Sequence, residues 1–332
     1  MRKFLSYLLS CAFMVLSCTK DPCLSLPADK EYASLHIEPE LAYETKAVDG
    51  SYFGTGTYNL GLWIGSLSEG LFTPQIKGYD NIKASAFSTA GGSSTDFVIN
   101  WTYHIGSDSY KSLFVEKSTP VSIYSYHPWV DGVTDISAVP FVSGESDWMW
   151  AEPLSLTAGQ TNADEIEAHL KYHHAMTCVE VQINCRHEGT VTLTKITLSD
   201  SEGRLYTEGI LNALTGELTL DDDYKSGTLT LLPNKRLSTV PYTVCFIFPA
   251  IDGLALDDGT GNGELKLSFE FNGNEARQEF YLPKTMTGVT DDITSLDTGT
   301  KYTYLLTLDN TVTFAPVSKN DNWGSETIKV VL

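Results

Sequence analysis

Several things are scarce in this sequence, and each scarcity closes off a class of function. Basic residues number 22 against 42 acidic ones, for a formal charge of −20. Such a surface repels phosphate backbones, and no stripe of Lys and Arg offsets it, so nucleic-acid binding is disfavoured. Nor would an anionic membrane draw the chain electrostatically. No apolar run reaches the roughly 20 residues that a membrane-spanning helix needs. No C-x-x-C pair occurs, so a zinc or dithiol site has no support. No G-x-S-x-G elbow is present, and the seven His residues show no triad-like setting. Paired carboxylates are too common in an acidic chain to single any out. No enzymatic activity, metal or cofactor is expected.

Cysteine is sparse too, yet three of the six fall within the first 23 residues. Arg2 and Lys3 make a short basic start, and Phe4 to Ser17 is apolar or small throughout. That run has the length of a secretory signal's apolar part. Lipoprotein signals end in a short apolar and small-residue run before a cysteine whose sulfur takes the diacylglycerol. Val15-Leu16-Ser17-Cys18 fits. Leu8-Leu9-Ser10-Cys11 fits locally, but cutting there would strand Ala12 to Leu16 on the mature end. Cys23 follows Asp21-Pro22, with no apolar approach. Residues 1–17 are therefore read as a lipoprotein signal, cut between Ser17 and Cys18, with Cys18 lipidated. Several acyl chains make such attachment effectively permanent.

Of the other cysteines, Cys178 and Cys185 lie seven residues apart on one expected strand. They face opposite ways about 20 Å apart and cannot bond to each other. A Cys185–Cys245 bond is conceivable in an exported protein, but unpaired thiols are the simpler expectation.

What the chain has in abundance is alternation. Phe97, Ile99, Trp101, Tyr103 and Ile105 alternate with polar or smaller residues. So do Val179, Val181, Ile183 and Cys185; Tyr242, Val244, Phe246 and Phe248; Leu265, Leu267, Phe269 and Phe271; and Tyr302, Tyr304, Leu306 and Leu308. Each set reads as a strand with one buried and one wet face. Asn272-Gly273 between two such runs signals a hairpin. Gly-, Ser- and Asp-rich loops fall at 88–96, 143–147 and 257–264. Thr161-Asn162 with Glu165 either caps a short helix through Ile166 and Leu170 or begins a strand toward His174. The expected fold is all-β, built of antiparallel β-sandwiches. The mature 315 residues (332 less 17) exceed what one core usually serves. Two domains follow, 47–186 and 187–332, meeting between Arg186 and Thr190, behind a tether at 18–46. Leu35 and Ile37 suggest a brief strand in that tether, ended by Pro39.

Candidate sites are few. Adjacent strand residues face opposite ways, so His173 and His174 cannot share one metal. Asp257 to Glu264 offers oxygen ligands and glycines but lacks EF-hand spacing, and reads as an acidic hairpin turn. Asp221-Asp222-Asp223 reads as a solvated turn. Tyr124 to Trp129, with Trp148 and Trp150 sharing one strand face, would stack sugars if exposed, but core packing explains them more simply. A monomeric surface lipoprotein that binds glycans through those rings is the alternative function.

Five segments together resemble a known family. They are Cys18 with its approach; Thr45-Lys46-Ala47; Tyr124-Ser125-Tyr126-His127-Pro128; Asp147-Trp148-Met149-Trp150-Ala151 leading to His174 through Val181; and Gly299 through Tyr304 with Asn320-Asp321-Asn322-Trp323. In order and spacing the chain is similar to Mfa-like, FimA-related fimbrillins, the lipoprotein pilins of anaerobic Gram-negative bacteria. The resemblance implies two transthyretin-like β-sandwich domains and outer-membrane export. It implies cleavage by a trypsin-like protease, here between Lys46 and Ala47, and growth of a fimbria by strand exchange with other fimbrial subunits. The best-known members are cut after arginine, and no Arg lies between Cys18 and Arg186. The donated strand is expected at the C-terminus, where Ile328, Val330 and Leu332 alternate with Thr327, Lys329 and Val331.

Overall fold

The alternating runs become strands almost wherever they occur. The protein is described by a computed structural model that covers residues 24, 26–41, 56–90, 97–186, 191–272, 278–287, 290–308 and 312–321. Among these, one helical turn, Ala158–Thr161, and one 3-10 turn, Asp222–Tyr224, interrupt an otherwise all-β chain. The ambiguous stretch around Thr161 divides between its two readings. The Thr157 N–H donates to Gln160 Oε1 at 2.8 Å and holds a single turn. Glu165–His174 is then a strand, with Ile166, Ala168, Leu170 and Tyr172 buried and Glu165, Glu167, His169 and Lys171 exposed. A strict period of two settles the matter, because a helix would bury neighbours three and four apart instead.

The earlier strands form one eleven-stranded sheet. Its central order runs Phe97–Ile105, Ile82–Ala90, Gly56–Ser68, Val121–His127, Met149–Ala151, Glu165–His174, Tyr32–Leu41 and Leu113–Glu116. The sheet carries one apolar core, to which Leu35, Ile37, Leu60, Leu62, Ile64, Tyr103, Ile123, Leu170 and Tyr172 contribute. The later strands form a sandwich. A four-stranded sheet, ordered Tyr242–Phe248, Thr177–Cys185, Thr300–Leu308 and Val312–Asp321, faces a five-stranded one containing Thr192–Asp200, Leu265–Phe271 and Gln278–Tyr281. Val179, Val181, Tyr302 and Leu306 from the first meet Ile196, Leu198, Leu267 and Phe269 from the second in a second core.

Three features go beyond what the strand patterns indicate. The sheets are not wholly antiparallel: Tyr32–Leu41 pairs in parallel with Glu165–His174, and Thr177–Cys185 with Thr300–Leu308. Parallel neighbours require a long connection, so local hairpin signals could not show them. Thr177–Cys185 pairs with Tyr242–Phe248 and Thr300–Leu308 and so lies with the later strands, although it falls before Arg186–Thr190. The change of sheet occurs at Ala175-Met176. Residues 187–190 lie outside the described residues.

Several strands are also covered on both faces. A third apolar cluster gathers Trp63, Tyr124, Tyr126 and Trp148 from the earlier sheet with Cys178, Leu211, Ala213 and Ile247 from the later part. Val139–Val142 pairs with Glu208–Leu211, and Gly144 bridges Ile247, so backbone bonds accompany this packing. The outer face of Thr177–Cys185 is consequently dry at Glu180. There Lys301 Nζ stands 3.5 Å from Glu180 Oε2, and the Thr303 hydroxyl and Gln182 amide donate to Glu180 Oε1. Buried charge persists only when paired and hydrogen-bonded, and this one is both.

Candidate functional site

The N-terminal strand, Tyr32–Leu41, occupies an interior position in the first sheet. On one side it matches Glu165–His174 in parallel register from Ser34↔Glu165 to Leu41↔Tyr172. On the other it matches Leu113–Glu116 antiparallel, but only from Tyr32↔Glu116 to Leu35↔Leu113. Ala33, Leu35 and Ile37 are at most 1% exposed. This segment belongs to the core, although the chain leading to and from it reads as a tether.

Pro39 continues the strand rather than ending it, and the register shows why. The Ser34 N–H donates to Asp164 O at 2.8 Å, so even-numbered amides point toward Glu165–His174. Odd-numbered amides point the other way. Beyond Leu35 no strand stands on that side among the described residues. The Ile37 N–H is met instead by the hydroxyl of Tyr103, a buried side chain from Phe97–Ile105 whose burial pushes its own pKa well up. Two residues further, Pro39 has no N–H to leave unsatisfied. Proline is tolerated in a strand at such a one-sided position.

The flanking strand Leu113–Glu116 is itself capped. The Phe114 N–H donates to Tyr79 Oη at 3.1 Å and the Glu116 N–H to Gln75 Oε1 at 3.1 Å. Those two amides are taken. The Glu31 carbonyl accepts from the Lys117 N–H at 2.9 Å, and Lys30 Nζ reaches Glu116 Oε2 at 2.6 Å. The Lys30 pair is solvent-exposed and contributes little. The slot therefore has one long open wall, Glu165–His174, one short wall, and an apolar floor.

At the other end of the described chain, Val312–Asp321 is an edge strand, paired among the described residues only with Thr300–Leu308. Phe314 stacks on Tyr304 at 5.4 Å and on Phe280 at 5.0 Å, which ties it to both sheets of the second core. Its register slips near Pro316, a bulge of the kind that discourages casual edge pairing.

The structure places the strand of Leu35 and Ile37 in the sheet as a paired element. The other expected sites, Ser17, Cys18, Lys46, Ala47, Thr327, Ile328, Lys329, Val330, Val331 and Leu332, lie outside the described residues. Ala33 and the short partner strand were missed by the sequence reading, which took Pro39 as a terminator and Tyr103 only as part of its own strand. Alternation from Ala33 to Pro39 could have lengthened the strand, but nothing local points to Tyr103.

The remaining candidates are occupied internally. His173 Nε2 meets Glu152 at 2.7 Å, while His174 Nδ1 meets Asp147 at 3.0 Å on the other face. Asp257 Oδ1 accepts from the amides of Gly259, Gly261 and Asn262, so that loop turns a carboxylate onto its own backbone. Trp148 is buried, its Nε1 donating to Val142 O, and Trp150 stacks on His173 at 5.1 Å. The Tyr126 hydroxyl donates to Asn81, and Trp129 donates to Asn81 O beneath the Lys83 ammonium. Tyr126 and Trp148 are thus turned into the core, while Trp129 and Trp150 are half-buried, each against a partner of its own.

Comparison with known proteins adds the family context. Residues 72–323, well over half of the chain, match the family model described as fimbrillin-like. A candidate cell adhesion protein from Bacteroides uniformis shares 14% identity over 90% of this chain and all of its own, with a TM-score of 0.53. Another from Bacteroides fragilis shares 10% over the same fractions, at 0.52. At such identities these two show the fold alone. The tip fimbrial protein Mfa3 from Porphyromonas gingivalis covers 88% of this chain and all of its own at 12% identity, but its TM-score of 0.37 carries no argument. No curated protein sequence matches the chain.

Proposed function

Because this chain belongs to the fimbrillin-like family, we propose that it is a fimbrial subunit whose N-terminal strand keeps a place that a neighbouring subunit's strand later fills. Family membership supports a structural rather than a catalytic role, a cell-surface fimbria as its setting, and other fimbrial subunits as its partners. The finer steps are our reading. Cys18 would anchor the exported chain by lipid. A trypsin-like protease would cut after Lys46, in the connection 42–55 that joins Tyr32–Leu41 to Gly56–Ser68. The C-terminal strand Thr327–Leu332 of another copy would then enter.

One observation carries this reading: Tyr32–Leu41 is an interior strand, with Ala33, Leu35 and Ile37 buried in the core, joined to the strands that follow by a single connection. Cutting that connection leaves every contact in place but makes release possible. Release opens an eight-residue parallel wall and the floor beneath Leu35 and Ile37. Unpaired backbone beside apolar surface strongly favours capture of another strand. Ile328, Val330 and Leu332 would supply the alternating apolar side chains that the floor requires. We also place the division between the two halves of the fold at Ala175-Met176, since the strands exchange sheets there.

The test combines N-terminal sequencing of surface-extracted protein with gel analysis of unboiled samples. A mature start at Ala47 and a detergent-resistant ladder are expected. Lys46→Ala should keep residues 18–46 and abolish the ladder, and Val330→Asp should give processed, folded monomers. A ladder unchanged in either variant refutes the mechanism. Fatty-acid labelling that survives Cys18→Ala refutes the anchor.

A further inference from the structure

The sequence raised Cys185–Cys245 as a conceivable bond, but strand register puts those two on opposite faces. Thr177–Cys185 and Tyr242–Phe248 run antiparallel with Cys178↔Ile247 and Glu180↔Cys245. Cys178 is thus the diagonal neighbour of Cys245 on the same face, near enough for the Cys245 thiol to bear on the Cys178 thiol. Both belong to the third apolar cluster, Cys178 fully buried and Cys245 half-buried at its margin. Cys185, of opposite parity, is buried in the second core instead.

We propose that Cys178 and Cys245 close a cross-strand disulfide once the chain has left the cytoplasm, with a disulfide-bearing compound as oxidant. The proposal rests on the surface location argued above, because exported compartments permit disulfides and the cytosol does not. Diagonal neighbours stand about 7–8 Å apart, slightly beyond the 4.4–6.8 Å usual between bridged Cα atoms. The side chains of diagonal neighbours stand closer than their Cα atoms, so closure needs the two strands to shift toward each other.

The order of events follows from exposure. Burial pushes the Cys178 thiol well up, and Lys301, its cross-strand partner, only partly opposes this. Cys245, at the margin, is the thiol that an external reagent can reach. Its thiolate attacks one sulfur of the oxidant, forming a mixed disulfide and expelling one thiolate. That thiolate takes the Cys178 proton, and the Cys178 sulfur then attacks the Cys245 sulfur, expelling the second half of the oxidant. Two S–H bonds are lost, one S–S bond forms, and one external disulfide becomes two thiols. The link would fasten the first strand after the sheet change to its neighbour, beside the cluster that joins the two halves.

Two samples test it: purified reduced protein incubated with oxidised glutathione, and protein extracted from the cell surface. Each is alkylated without reduction under denaturing conditions, then digested with trypsin and with a protease that cuts after glutamate. The second cut is needed because Cys178 and Cys185 share the tryptic peptide 172–186, which Glu180 divides. Linked peptides carrying Cys178 and Cys245, two hydrogens lighter than their sum, are expected in both samples, with Cys185 alkylated. Wild type should also melt higher without reductant than with it, a difference that Cys245→Ala abolishes. Full alkylation of both cysteines in either sample overturns the proposal, and so does a link through Cys185. The fimbrial reading is judged separately, by the ladder, and stands or falls without this result.

Discussion

Replacing Ile37 with alanine asks whether the N-terminal strand is part of the cooperative fold or only rests upon it. Ile37 is 1% exposed, sits opposite Ala168, and shares the first core with Leu35, Leu170 and Tyr103. The substitution removes the side chain beyond Cβ from a closely packed site but leaves the backbone able to donate to Tyr103. Truncations of this kind cost about 2–5 kcal/mol, depending on how far the surroundings collapse. At about 2–4 °C per kcal/mol, the melting temperature should fall by at least 4 °C. Urea unfolding followed by the fluorescence of buried Trp63 and Trp148 measures the free energy directly. His36→Ala, on the exposed face of the same strand, serves as control and should stay within about 0.5 kcal/mol of wild type. If Ile37→Ala also stays within 0.5 kcal/mol, with an unchanged urea dependence, the strand is not part of the unit that unfolds, and the slot argument fails. If it destabilises as expected, the same variant should exchange its cleaved strand faster than wild type, because release sacrifices less packing.

Three further perturbations test the physics of the rest of the molecule. Arg204 donates to both oxygens of the buried Asp200 carboxylate and to Glu264; although burial works to raise the Asp200 pKa, these bonds hold it below the usual range. Arg204→Ala should cost about 3–5 kcal/mol in urea unfolding by stranding that carboxylate, and Arg204→Lys should recover little because it lacks the fork. Burial pushes the His127 pKa down, with its contact to the Asp147 carbonyl working the other way, so the fold holds this ring neutral. A lowered folded pKa contributes stability that is fully present above the unfolded value of about 6.5 and is lost as pH falls below it. His127→Gln should therefore flatten the fall in stability measured between pH 7 and pH 5. The Tyr304 hydroxyl is buried with no hydrogen-bond partner among the described residues. Tyr304→Phe should accordingly leave thermal stability unchanged or raise it by about 1 kcal/mol, whereas a loss above 1 kcal/mol would show that the hydroxyl is satisfied.

The sequence by itself determined the all-β class, the position of several strands and the family, because alternation, turn residues and short motifs are local signals. It also indicated a strand around Leu35 and Ile37 and set Cys178 and Cys185 on opposite faces. What it could not contain is which strand lies beside which. Parallel pairing of Tyr32–Leu41 with Glu165–His174 joins segments more than 120 residues apart, and no local pattern encodes that. The consequences followed from neighbours rather than from the residues themselves. Pro39 reads as a terminator in isolation, yet here its missing N–H faces a side with no partner strand among the described residues. Glu180, Lys301 and Thr303 read as the wet face of their strands until the third cluster covers that face and makes them a buried, mutually bonded set. Cys245 finds Cys178 rather than Cys185 because an antiparallel register fixes which faces agree. Periodicity tells each strand that it has two faces, but only the packed structure decides what each face meets.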